Sequence, residues 1–426
     1  MKYKFNSKFN LGYQLIPGYG SVNFVKKGHR DDIIVLDDST ISLIEKIQSL
    51  GSIEVDAEST SEDFNRLISE QILISIDQEK EEDLSLYTQS LNFWLQVTDT
   101  CNLACSYCYI PSLNSKRTFR SDLFDLLKKK LLTVKGLKTV HIKIAGGEPL
   151  LSFNEWQEGV IALRKALAEN GIELQLRLIS NLTILTEEMI QFIQTNGLAI
   201  SVSLDGTAYF NDKNRIYTGT QKGTFSVVRK NLERLHAAGI KPSVMITVTS
   251  ENQDGVPDLI SFLVENDITF RIADAKGGYI TADEFEAVMK KSVRVISDGV
   301  GDGFPVSSRI VVSDLRLLSA NSTPCSMGKN GAAIYLDGSV YFCHTEFESG
   351  QPIGHLEEGV NLLNIIQRGR QKQFGLSDDC QSCEYRLICA GGCPLYRVDG
   401  KSPMCQSYKK IIKSVFSLYE QEKSNT

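Results

Sequence analysis

Between residues 91 and 290 the apolar positions fall into short runs separated by longer amphipathic stretches. The runs are "FWLQVT" (93–98), "VHIKIA" (140–145), "LQLRLIS" (174–180), "AISVSL" (199–204), "VMITV" (244–248) and "ITFRIA" (268–273). Their alternation and β-branched content predict strands. Between them lie "SDLFDLLKKKLL", "EWQEGVIALRKALAEN", "LTEEMIQFIQTNG", "FSVVRKNLERLHAAG" and "VPDLISFLVEN", whose apolar residues recur at helical spacing. Regular alternation predicts an α/β unit of parallel βα repeats in an open sheet or partial barrel. Chemistry in such folds gathers at the C-terminal ends of the strands.

Upstream, "SVNFV" (21–25) and "IIVL" (33–36) read as paired strands around a polar turn. Ile41, Ile44, Ile47 and Leu50 then mark a helix, "EDFNRLISEQ" a shorter one, and "ILISI" a closing strand. The charged run "DQEKEED" (77–83) reads as a solvated linker. From about residue 301 glycines and cysteines replace long periodic segments, which predicts a loop-rich domain held by metal. Three domains are expected: 1–78, 88–300 and 301–426.

A chain of 426 residues has room for several cores. Its 42% apolar and 23% charged content is ordinary for a globular protein. The net charge of −6 argues against a surface built mainly for nucleic acid or anionic lipid. No run is long and apolar enough to span a membrane, and "MKYKFNSKFNLGYQL" lacks the core of a signal peptide. A cytoplasmic location is therefore expected, with no membrane or nucleic-acid partner. In a reducing compartment, the ten cysteines are better suited to metal than to disulfides.

"CNLACSYCYI" sets Cys101, Cys105 and Cys108 just past the first strand. Three thiolates leave a structural zinc one ligand short. They leave one iron of a [4Fe-4S] cluster open to a substrate or cofactor. A zinc completed by a distant histidine, or unliganded core cysteines, are the competing readings. "AGGEPLL" (145–151) ends the second strand, "SN" (180–181) the third and "SVSLDG" (201–206) the fourth. Singly these are ordinary turns, and Asn181 or Asp205 would serve as helix caps. Their weight comes from their order on successive strands. Seven further cysteines follow: Cys325, Cys343, then Cys380, Cys383, Cys389 and Cys393 as C-x2-C-x5-C-x3-C, and Cys405. The last group of four would by itself also suit zinc.

C-x3-C-x2-C with Tyr107 before the last cysteine resembles the signature of the radical S-adenosylmethionine enzymes. The resemblance implies a partial (βα)6 TIM-type barrel in which Cys101, Cys105 and Cys108 hold a [4Fe-4S] cluster. S-adenosylmethionine would bind the open iron and be cleaved to a 5′-deoxyadenosyl radical that abstracts hydrogen. Gly146, Gly147 and Glu148 would meet the methionine ammonium, and Asn181 the ribose. Tyr107, Ser203, Asp205 and Arg215 would lie near the cofactor, Arg215 being suited to its carboxylate.

The seven later cysteines resemble the SPASM extension, which carries two auxiliary [4Fe-4S] clusters. Cys380, Cys383, Cys389 and Cys405 would hold the outer one. Cys325, Cys343 and Cys393 would hold the inner one, leaving it a ligand short beside His344. "IIVLDDSTISLIEKIQS" resembles the first half of the small winged-helix domain that holds leader peptides. Together these imply a maturase that cross-links a ribosomal precursor peptide bearing a leader sequence. The implied electron donor is of flavodoxin or ferredoxin type. Asp274 and Glu346 are the candidate catalytic carboxylates. The competing functions are a sulfatase-activating enzyme that makes formylglycine, a peptide epimerase, and a non-catalytic metal-binding or electron-transfer protein. Sulfatase activators of this type generally carry an eighth cysteine, which this chain lacks.

Overall fold

A computed structural model describes residues 2–6, 9–27, 33–55, 61–70, 72–76, 88–110, 119–348 and 350–425. Its N-terminal part contains β1 (Lys2–Phe5), β2 (Phe9–Ile16), β3 (Gly20–Lys27), β4 (Ile33–Leu36), β5 (Ile53–Glu54) and β6 (Leu73–Ser75). Strands β2, β3 and β4 form an antiparallel meander, while β1 lies between β5 and β6. The helix Asp38–Leu50 starts where the Asp37 side chain accepts the Thr40 amide at 2.7 Å, and it buries Ile44 and Ile47. These pack with Val25, Leu36, Phe64 and Leu67 in a separate small core. Pattern alone did not predict β1 and β2, whose lysines, asparagine and Gly12 obscure the alternation. The expected linker 77–83 lies outside the described residues.

All six barrel strands are present: β7 (Ser90–Thr98), β8 (Thr139–Gly146), β9 (Glu173–Ser180), β10 (Ala199–Ser203), β11 (Ser243–Val248) and β12 (Phe270–Asp274). They are parallel neighbours in that order. The helices Leu123–Leu131, Phe153–Ala168, Glu187–Thr195, Phe225–Ala237 and Val256–Glu265 fall where predicted. Alternate strand residues, such as Phe93, Leu95, Ile142, Ile144, Leu176 and Leu178, join these helices in the main core. The opposite face is concave. There Trp94 and Ala145 pack with Ala333, Tyr335, Tyr341 and Phe347 of the C-terminal region.

The sheet runs on past residue 300. β13 (Ile310–Val312) adds to β12. At the other edge β14 (Gly331–Ile334) pairs in parallel with β7, followed by β15 (Ser339–Tyr341) and β16 (Gly354–His355). The result is a ten-stranded sheet. A long helix, Cys405–Asn425, closes the chain and buries Tyr408, Ile411, Ile412, Val415 and Phe416. It lies along Ala282–Gly301, with Ser407 Oγ donating to the Ala282 carbonyl at 2.7 Å. The N-terminal meander docks onto the cysteine-rich region. The Gln14 amide donates to the carbonyls of Cys383 (2.9 Å) and Glu384 (3.2 Å), and Lys329 meets Glu70 at 3.3 Å.

Candidate functional site

The three-cysteine loop leaves the end of β7 and is gripped by the ends of β8 and β9. Gly147 N donates to the Thr98 carbonyl and Glu148 N to the Thr100 carbonyl, both at 2.8 Å. A Cβ on Gly146 would stand 2.3 Å from Thr98 O, and one on Gly147 2.3 Å from Thr100 O. Both glycines are therefore needed for backbone to approach backbone, whatever they do for a ligand. Glu148 is fully buried and accepts from Leu150 N (3.0 Å), Ser180 Oγ (2.8 Å) and Asn181 N (2.6 Å). Burial pushes its carboxyl above the usual range despite these donors. Asn181 does not cap a helix. Its Nδ2 reaches Asn102 Oδ1 at 3.0 Å and the Cys101 sulfur at 3.8 Å, while Thr186 caps the following helix.

Cys101 also receives the Leu103 amide at 3.4 Å. Burial pushes its thiol up to about 12, with Glu148, Cys105 and Cys108 adding to the effect. The two N–H donors favour the thiolate while the anionic neighbours oppose it, so a metal cation would be needed to displace the proton. Tyr107, Asp205 and Arg215 form one buried triad. Asp205 accepts the Tyr107 hydroxyl and the Thr247 amide (2.9 Å), and Arg215 Nη1 lies 2.7 Å from the Tyr107 oxygen and 3.5 Å from Asp205. One guanidinium nitrogen is thus engaged within the protein; burial raises the Cys105 thiol, and the Arg215 charge opposes that rise without reversing it. Asp205 does not cap a helix either; Thr207 precedes Ala208–Asn214. Ser203 is half-buried at the end of β10.

All ten cysteines are free thiols. Cys389 sits among Cys380, Cys405 and Cys383, and burial with their charge pushes it up to about 12. Cys343 feels Cys325, and Cys393 feels Cys343. These neighbours follow the two sets that the resemblance implies, but among the described residues no three His, Cys, Asp or Glu side chains stand close enough together to hold a metal ion. Gln373 Nε2 donates to the Cys325 sulfur at 3.3 Å and Tyr385 N to that of Cys383 at 3.4 Å, a donor set that suits cluster thiolates. His344 stacks on Trp94 at 3.8 Å, with Nδ1 3.6 Å from the Cys343 sulfur. Burial, Lys143 and Arg271 push it down to about 3, so the ring is neutral.

Asp274 is buried. It accepts the Ser313 and Tyr408 hydroxyls, the latter at 2.8 Å, and pairs with Lys276 at 2.9 Å. Lys276 also meets Asp314 at 2.9 Å. Burial would depress the Lys276 ammonium, but Asp314, Tyr408 and Asp274 outweigh it and hold its pKa up. Glu346 accepts Lys372 through one oxygen, and its other, buried oxygen has no hydrogen-bond partner among the described residues.

Pattern reading missed Tyr109. Its ring stands 5.1 Å from that of His344, and burial together with Cys108 and Cys343 holds its pKa well above the usual value. Tyr109 is 39% exposed, and its contact with His344 brings the residue after Cys108 beside the residue after Cys343. The signal was present in the sequence, as an aromatic directly after Cys108.

Residues 95–263 match the model of the Radical SAM superfamily. Over 352 residues, 74% of this chain, the sequence is 24% identical to a cysteine-type anaerobic sulfatase-maturating enzyme of Clostridium perfringens, 93% of which is covered. The solved structure of native anSMEcpe with bound AdoMet aligns with a TM-score of 0.66 at 20% identity, covering 79% of this chain and 100% of that one. Streptococcus suis SuiB bound to precursor peptide SuiA aligns with a TM-score of 0.58 at 14% identity, covering 94% and 98%. The partial barrel is the fold these structures share.

Proposed function

This chain carries a radical S-adenosylmethionine domain, and from that premise we propose that it is a maturase that cross-links a precursor peptide. With the front cluster and S-adenosylmethionine bound, the site is supplied with a 5′-deoxyadenosyl radical able to take a hydrogen atom. Cys101, Cys105 and Cys108 would hold that cluster, with Asn181 and the Leu103 amide donating to Cys101. Tyr107, Gly146, Gly147, Glu148, Ser203, Asp205 and Arg215 would shape the nucleotide site. The substrate segment would lie against Tyr109, which follows Cys108 and whose ring stands 5.1 Å from that of His344, the residue after Cys343; this observation carries the reading. Cross-linking removes two hydrogens, one as the abstracted atom and one as a proton, and releases one electron. Cys325, Cys343 and Cys393 would hold the acceptor for that electron, and Cys380, Cys383, Cys389 and Cys405 a second auxiliary cluster. Asp274 or Glu346 would take the proton.

The N-terminal unit, residues 1–78, would hold the leader as an added strand. The likeness to SuiB supports this, since it extends over nearly the whole chain and that structure has a precursor peptide bound. An external flavodoxin or ferredoxin would supply the reducing electron. A second reading, activation of a sulfatase cysteine, is favoured by the sequence similarity to the clostridial enzyme.

Anaerobic enzyme, dithionite and S-adenosylmethionine, incubated with peptides encoded beside the gene or with a sulfatase cysteine peptide, distinguish the two. A loss of two hydrogens with a new intramolecular link supports the maturase. Loss of the cysteine sulfur supports the second reading, and unchanged mass with an inverted centre would indicate an epimerase. A colourless protein that yields no 5′-deoxyadenosine would overturn all three.

A further inference from the structure

Three strands of the barrel each carry one Lys or Arg in a mainly apolar run: Lys143 in "HIKIA", Arg177 in "QLRLI" and Arg271 in "TFRIA". Parallel register places Lys143 between Trp94 and Arg177. Ile142 and Ile144 on either side of it are buried under the helices, so Lys143 faces the concavity. Among the described residues it has no hydrogen-bond or ion-pair partner. The Arg177 Nη1 donates to two neutral hydroxyls, Ser201 at 3.0 Å and Ser243 at 3.3 Å. Arg271 Nη2 meets the Ser313 carbonyl at 3.0 Å and Asp314 at 3.3 Å, yet among the described residues its buried Nε has no partner. Asp314 is in turn shared with Lys276.

Surrounding protein, then Arg271, Arg177 and Arg316, lower the Lys143 ammonium, although the side chains of Lys143 and Arg177 are open to solvent. Asp314 balances Arg271 and Lys276, which leaves Lys143 and Arg177 to attract an anion from outside. Lys143 lies beside the contact of Tyr109 with His344: its register partner Trp94 stacks on His344 at 3.8 Å, and the His344 ring stands 5.1 Å from Tyr109.

We propose that Lys143, Arg177 and Arg271 form a carboxylate-binding wall, and that the substrate segment held there brings an Asp or Glu side chain or a free C-terminus. Arginine offers the carboxylate directed donors and lysine a point charge. The proposal rests on the peptide-maturase reading. A competing role for the cations is to balance the inner thiolates, since Cys325 is also a neighbour of Lys143.

The test is equilibrium capture from a pool of random N-acetylated octapeptides by the full-length, iron-reconstituted enzyme without reductant, read by mass spectrometry. One half of the pool is C-terminally amidated. Enrichment of Asp or Glu in both halves, on the order of tenfold, supports a side-chain carboxylate. Enrichment confined to unamidated peptides supports the C-terminus as its source. Lys143→Glu is expected to reverse the preference toward Lys and Arg, and Lys143→Met with Arg177→Met to abolish it. Circular dichroism and iron content matching wild type show that these variants are folded. Capture without acidic preference in wild type overturns the wall while leaving the maturase reading intact. So does an unchanged preference in the Met variant accompanied by a shifted potential of the auxiliary clusters. The maturase reading fails separately, by the absence of 5′-deoxyadenosine under reducing conditions.

Discussion

Gly147 and Glu148 do their work on the protein before any ligand arrives. A methyl group on Gly147 would press into the carbonyls of Thr100 (2.3 Å) and Asp99 (2.7 Å), so the loop carrying Cys101 would have to retreat. Gly147→Ala should cost about 1–3 kcal/mol in urea unfolding and lower the iron retained by the front trio, as measured by iron assay. Glu148→Gln turns an amide donor toward one of the N–H groups that the carboxylate now accepts. Denaturant titration should show a loss of about 1–3 kcal/mol, because a buried polar group is left unsatisfied. Sequence reading located both residues but not these contacts. Nothing local in "GGEP" says that its glutamate must reach Ser180 and Asn181 on the next strand. Nor does the spacing of Tyr107, Asp205 and Arg215 reveal that they meet.

At the level of elements, the six central strands were legible because one face of each is buried under helices and the other is mixed. Strands β13 to β16 have two to four residues each, too few to display a period. The helix Cys405–Asn425 did carry a signal, since Tyr408, Ile411, Ile412, Val415 and Tyr419 recur at helical spacing behind the last cysteine. The helix Asp38–Leu50 provides a test of capping. Burial works against Asp37, but the Ser39 hydroxyl and the Thr40 amide outweigh it and lower its pKa from 3.8 to about 2. The folded-state pKa lies below the unfolded one, so its stabilisation is present above 3.8 and lost as the pH falls through about 2. Asp37→Ala should destabilise the helix by about 1 kcal/mol near neutral pH. Thermal unfolding should show the gap to wild type narrowing in acid.

Across the whole molecule, the N-terminal unit is docked through Ile16 and Val22, which join the main core, through Tyr19, whose hydroxyl accepts the Ala320 amide at 3.2 Å, and through the ion pair of Lys329 with Glu70. Burial would raise the Glu70 carboxyl, but Lys329 and Arg370 prevail and keep it low. Lys329→Glu should loosen the docking by about 1 kcal/mol, visible as faster hydrogen exchange in the β2–β3 hairpin. The double reversal with Glu70→Lys should restore it partly, because Arg370 also faces that position. The pairing of β14 with β7 has a different kind of consequence. The strand that ends at the front trio is stitched by main-chain bonds to β14, and β14 in turn to β15, which leads into Cys343. Were both thiol groups to hold clusters, the two metal centres would ride on one continuous sheet. Their separation would then be a fixed calliper that a guest chain has to fit.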